Sequence, residues 1–290
     1  MTSRVATAVL ALSVSVICAD AKTISGKVTG KGGKGMGGVF VSAHDTEHRK
    51  STGVFTARDG SFVIDGLRDL GHKVRARLLG QNDVWLEDIA PGSPELTIAM
   101  TPATGWKLEK QRTADSAFAM LKFEDTRDKL NFKMFCSYCH QIGTVPFRTP
   151  EQPVDWETMI RRMDGFGGLY RHSQKTIIKR LIDTYKDDAV DSWPKFVPPP
   201  APHGSAAKAK ITTWELGKRY ESTYHDLELG PDDKAYAVNI TKGYMVTVDT
   251  KTDKQVYKKF PRGSHGPHSI EPDNDGHMWV TMCASGQMAK

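Results

Sequence analysis

Cysteine is scarce in this chain, four in 290 residues, which excludes a disulfide-dense scaffold. Dense Lys/Arg runs are absent too. The charge of +6 is spread along the sequence, so no clustered nucleic-acid footprint is present, while a basic face for an acidic protein partner remains open. Beyond the N-terminus no apolar run approaches the ~20 residues of a membrane span. Apolar residues make up 39 % and aromatics 9 %, which excludes wholesale disorder. The length suits two or three domains.

What is present begins with a leader. Arg4 precedes an apolar stretch from Val5 to Ala19, and Ala19-Asp20-Ala21 is an A-x-A cleavage pattern. The layout predicts a secretory signal peptide over residues 1–21, a periplasmic or secreted mature chain and no membrane span after cleavage. Ile17 before Cys18 argues against a lipoprotein signal. The mature chain then keeps Cys136, Cys139 and Cys283.

Residues 22–101 read as short strands between Gly and Asp turns: Thr23–Val28, Val39–Ala43, Ser61–Ile64 after Asp59-Gly60, and Lys73–Leu78. The order G-x-V, a Gly-rich turn, D-G-x-F and G-L resembles the carboxypeptidase regulatory-like domain. Leu70-Gly71-His72-Lys73 departs from that family's pattern. The resemblance implies a transthyretin-like β-sandwich, an accessory module with a carbohydrate as its partner. His44, His48 and His72 lack metal-type spacing and read as surface histidines.

Residues 104–195 change to helical periodicity, with Trp156, Ile160 and Met163 at i, i+4, i+7, and Ile177, Leu181 and Tyr185 on another amphipathic face. Within them stands Cys136-Ser137-Tyr138-Cys139-His140, the C-x-x-C-H pattern of covalent haem attachment. Two thiols three positions apart can form thioethers to the haem vinyl groups, and the adjacent His140 offers its imidazole to the iron. A thioredoxin-like dithiol would need a βαβ context, and zinc would need a second Cys/His pair; neither is seen. The segment resembles a small class I-type cytochrome c domain, which implies one haem c, a redox partner protein in the periplasm, and Met163 as second axial ligand. Met159, Met134 and His172 compete for that place, and Arg148 and Trp156 could flank the propionates.

Val197–Pro202 and Ser205–Lys210 read as a stiff Pro/Ala linker over 196–210. Residues 211–290 carry a repeat with an offset of 43. It relates His225 to His268, Asp232 to Asp275, Tyr236 to Trp279, and Met245 to Met288. G-P-D-D-x-x-Y and H-G-P-H-S-I-x-x-D-x-D-G-x-x-W-V-T resemble the virginiamycin B lyase-like (streptogramin lyase) propeller. The resemblance implies fewer than two blades of a β-propeller that stops short at Lys290, and makes His225 and His268 weak catalytic candidates. Cys283 reads as a lone strand thiol.

The expected fold class is therefore multidomain: an N-terminal β-sandwich, an all-α cytochrome c domain and a C-terminal partial β-propeller. The leading function is periplasmic electron transfer through one covalently bound haem c. The alternatives are a propeller-based lyase or dehydrogenase with the haem as electron outlet, and an envelope carbohydrate-binding protein.

Overall fold

Alternation with Gly/Asp punctuation produces strands wherever it occurs. In the computed structural model, which describes residues 22–137, 141–145, 155–165, 174–185, 192–217 and 223–290, most of the ordered backbone is β. The signal-peptide reading falls on residues 1–21 and lies outside the described residues. No helix among the described residues is long and apolar enough to cross a membrane.

Strands β1 (Ile24–Thr29), β4 (Ser61–Ile64) and β7 (Leu96–Ala99) form one sheet, in the order β4-β1-β7. Its partner is five-stranded, ordered β6-β5-β2-β3-β8: β2 (Phe40–Asp45), β3 (Lys50–Phe55), β5 (His72–Arg77), β6 (Val84–Ile89) and β8 (Lys210–Trp214). Alternate residues of both sheets face inward. Ile24, Val28, Val41, Ala43, Phe62, Ile64, Val74, Ala76 and Ile98 close the core between them. The Asp59-Gly60 turn feeds β4. The Asp59 carboxylate accepts hydrogen bonds from the Ser61 N–H (3.1 Å) and hydroxyl (2.7 Å), and Gly60 takes φ +88.

Among the described residues five short helices follow: α1 (Gly105–Glu109), α2 (Ala114–Phe118), α3 (Thr126–Cys136), α4 (Trp156–Gly165) and α5 (Gln174–Tyr185). Thr113 and Asp125 cap α2 and α3 by accepting from the Ser116 and Arg127 N–H groups. Phe118, Leu121, Phe132, Trp156, Ile160, Ile177, Leu181 and Tyr185 are buried together. The C-terminal part is two antiparallel meanders. One holds β9 (Tyr224–Leu229), β10 (Lys234–Asn239), β11 (Tyr244–Asp249) and β12 (Gln255–Lys259); the other holds β13 (Pro267–Pro272), β14 (Met278–Met282) and β15 (Gln287–Ala289). They share a core of Val238, Ile270, Val280 and Met282.

The expected fold class is corrected on these findings. The described residues are mainly β, in four sheets, and those of 104–195 form a few short helices rather than an all-α cytochrome c domain. Where a partial β-propeller was expected, the described residues 223–290 form a four-stranded and a three-stranded antiparallel meander packed on each other. The sandwich is not confined to residues 22–101: β8 comes from beyond the proline run and pairs with β3 from Lys50↔Trp214 to Val54↔Lys210. A strand-forming Lys-Ile-Thr-Thr-Trp beside an open edge pairs with it, because an uncovered β3 would leave a row of backbone groups unpaired.

Candidate functional site

The helix that bears the first motif cysteine has an unusual surface. Phe132 on α3 is buried, stacking on Phe118 with ring centroids 5.8 Å apart. Leu130 and Met134 are 58 % and 65 % exposed. Cys136 ends the helix, one turn beyond Phe132, and packs half-buried against the same core. Burial pushes its thiol up to about 11, so the sulfur is neutral at physiological pH. An activated dithiol would instead show a lowered pKa in electropositive surroundings.

The helical core also receives Trp156 and Ile160, and Met163 is the next position on that stripe of α4, half-buried. Met159 is half-buried on the same helix, and Met134 is exposed. Cys139, His140, Arg148 and His172 lie outside the described residues.

A second locus is the junction of the two meanders. His225 on β9 and His268 on β13 come together with ring centroids 3.6 Å apart, and His225 Nδ1 lies 3.0 Å from the His268 carbonyl oxygen, which accepts its hydrogen bond. The Ile270 N–H donates to the Asp226 carboxylate at 3.0 Å, fixing the two strands. Burial, then the neighbouring His225, lowers the His268 pKa, against an opposing effect of Asp226. The repeat offset in the sequence thus relates two residues that meet in space.

Asp273, Asp275 and His277 bring potential ligand atoms within 4.8 Å of one another. Asp273, however, accepts from the Trp279 indole N–H (2.7 Å) and from the N–H groups of His277 (2.8 Å) and Asp275 (3.0 Å), which hold its carboxyl down to about 2. It performs the turn-closing task that Asp232 performs for Tyr236. The carboxylate that grips the aromatic ring is therefore Asp273, although the repeat offset pairs Asp232 with Asp275.

The three N-terminal histidines are separated. His72 is buried with Nδ1 2.8 Å from the Leu70 carbonyl oxygen, and His48 bonds the Asp45 carboxylate. His44 sits on the outer sheet face with Nε2 2.9 Å from the Ser42 hydroxyl and its ring 5.1 Å from that of Trp85. Trp85 itself is 46 % exposed, with the Arg75 guanidinium 5.1 Å from its ring. Sequence reasoning passed over this group. Its signal was a tryptophan at a solvent-facing position of an alternating strand. Cys283 is exposed.

No family model matches the chain, and no curated protein matches it. A solved structure with some similarity is an N-terminal interface mutant of a type II cohesin–X-dockerin complex from Acetivibrio cellulolyticus. Identity is 16 %, the TM-score is 0.24, and the match covers 28 % of this chain and 58 % of that one. The expected membership in a multidomain cytochrome built from carboxypeptidase regulatory-like, cytochrome c and virginiamycin B lyase-like parts is corrected on the absence of a matching family model and on the fold of the described residues. The motifs that suggested it are short local patterns, and the described residues, mainly β with few helices, do not form an all-α haem domain of that family.

Proposed function

We propose that the chain serves in electron transfer outside the cytoplasm, through one haem attached to Cys136 and Cys139, with His140 and Met163 as its axial ligands. The carrying observation is the end of α3. A neutral, half-buried thiol closes the helix against the apolar core of Phe132, Trp156 and Ile160, and Phe135 next to it is 39 % exposed. An apolar, aromatic wall at the attachment point suits a large flat apolar ligand. When bound, haem supplies a reversible one-electron couple. The chain's own part is to shield that ligand with Phe132, Trp156 and Ile160 and to keep the Cys136 sulfur out of thiolate chemistry. The leader read over residues 1–21 supports export, and with it an oxidising compartment in which such a group is attached.

The test is expression with haem-attachment machinery, followed by a denaturing gel stained for haem. Colour should stay with the wild-type band and vanish in the Cys136→Ala/Cys139→Ala double variant. Met163→Ala should retain haem with a lowered potential, since a thioether ligand favours Fe(II). A wild-type band without covalent haem overturns the reading.

A further inference from the structure

The proline run between the helical segment and β8 is seated on the sandwich along one of its faces. Four prolines within Val197–Pro202 fix φ and restrict each preceding residue to extended backbone, so the run winds as a polyproline II helix of three residues per turn. Positions 198 and 201 then share a face, and that face meets the sandwich. Pro198 Cγ lies 2.9 Å from where a Cβ on Gly80 would stand, and the Ala201 Cβ 2.6 Å from that of Gly38. Both glycines take positive φ, +87 and +75, so each leaves a socket where a side chain would collide. The ends are fixed as well. Phe196 is buried with the Arg112 guanidinium 5.2 Å from its ring, and β8 pairs with β3 from Lys210 onward. The rest of the run is open: Val197 is 79 % exposed, and Pro199, Pro200 and Pro202 are exposed. Among the described residues the carbonyls of Val197–Ala201 accept no hydrogen bond, and the exposed Lys195 at the start of the run makes no ion pair.

We propose that this run is a docking ridge for a protein partner whose groove is lined by aromatic side chains and carries a carboxylate at one end. The chemistry of the ridge selects that occupant. Its four prolines have no N–H to give, so a partner cannot dock by adding a β-strand. What the ridge offers instead is pyrrolidine faces, the Val197 side chain, free carbonyls and one cation. Flat aromatic rings pack on the first two, indole N–H or tyrosine O–H groups donate to the carbonyls, and a carboxylate pairs with Lys195. The two glycine sockets hold the run in its bound shape beforehand, so little ordering remains to be done on association.

The experiment titrates the full-length protein into isotope-labelled SH3 and WW domains, the probes for an aromatic proline-reading groove, and follows the groove tryptophan's indole N–H by NMR. A probe should bind saturably with that signal shifted, more weakly as salt rises. The Pro199→Ala/Pro200→Ala variant, altered at outward positions alone, should keep its melting temperature and lose binding. A synthetic peptide of residues 194–204 should bind about tenfold more weakly than the protein, since one or two free residues must then be ordered. The peptide with the same two substitutions repeats the test where there is no fold to lose, and it too should not bind. Lys195→Gln should weaken binding and remove most of the salt dependence. No binding by either probe, or undiminished binding by the double-alanine protein, overturns the ridge. A peptide that binds as tightly as the protein overturns the holding role of the sockets. Salt dependence unchanged in Lys195→Gln overturns the acidic end of the groove.

Discussion

Asp253 is the residue on which the N-terminal sandwich and the first C-terminal meander converge. It sits in the β11–β12 turn at φ +64, with only 4 % of its side chain exposed. Its carboxylate accepts from Lys50 Nζ (3.0 Å), the Arg68 guanidinium (2.6 Å) and the Trp214 indole N–H (2.8 Å). Burial alone would raise its pKa. The hydrogen bonds from Lys50, Trp214 and Arg68 outweigh that and leave it below the ordinary value of 3.8. A depressed carboxyl contributes stability that is fully present above that ordinary value and is lost as pH falls through the folded one. Asparagine tolerates the left-handed backbone, so Asp253→Asn removes the charge with little added strain. We expect a loss of about 2 kcal/mol at pH 7, as for hydrogen bonds to a charged group. In denaturant titrations the gap from wild type should shrink near pH 3. A gap equal at both pH values would contradict the ionised role.

At the scale of elements, a tight constraint is the parallel pairing of β1 with β7. A Cβ on Gly26 would lie 2.3 Å from the Leu96 carbonyl oxygen and 2.8 Å from its nitrogen, both backbone atoms of the paired strand. Neither can move without breaking the ladder. Gly26→Ala should therefore cost about 2 kcal/mol or more, as overpacking does, and lower the melting temperature correspondingly. Gly32→Ala meets nothing within 4 Å and pays only for φ +74, about 1 kcal/mol. If the two substitutions melted alike, the close approach of β1 and β7 would be wrong. The same elements show what could be read from the chain. Strands such as Ser61–Ile64 were legible because a turn and an alternation coincide within a few residues. β8 was not, because Lys210–Trp214 is an edge strand directly after a proline run and its partner lies some 160 residues earlier. The meeting of His225 with His268 was prefigured by the repeat offset. Asp253 and Trp85 gave no comparable sign. Their partners are assembled by long-range pairing, and a lone Asp in a turn or a lone Trp in a strand is locally ordinary. The helical pattern was read at its correct places but made to carry a whole domain, since periodicity reports a helix's face and not the number of helices packed upon it.

For the whole molecule, the placement of β8 makes the helical segment an insertion into the β part of the chain. Both ends of the insertion come to the same place. The Ala103 N–H donates to the Gly80 carbonyl at 2.9 Å, and Pro198 packs against Gly80 from the other side, its Cγ 2.9 Å from where a Cβ would stand. Among the described residues, none of the insertion enters the sandwich core. Its links to the sandwich include Gln111, whose amide accepts from the Gly80 N–H and donates to the Gln81 carbonyl, while buried Arg112 ties the two ends of the helical segment through the Pro194 carbonyl. Joining Ala103 to Pro198 through a short Gly/Ser linker should therefore give a soluble protein with a β-type circular dichroism spectrum. Losing the two Gln111 hydrogen bonds, about 1 kcal/mol each, should lower its melting temperature by roughly 4–8 °C for a β part of this size. It should lose all haem staining. Extending the deletion through Trp214 removes the strand that covers β3 and one of the three donors to Asp253, so that protein should melt far lower and aggregate through the exposed edge. An excised chain that fails to fold while β8 is retained would show that the helices are an integral part of the sandwich's stability and not an insertion.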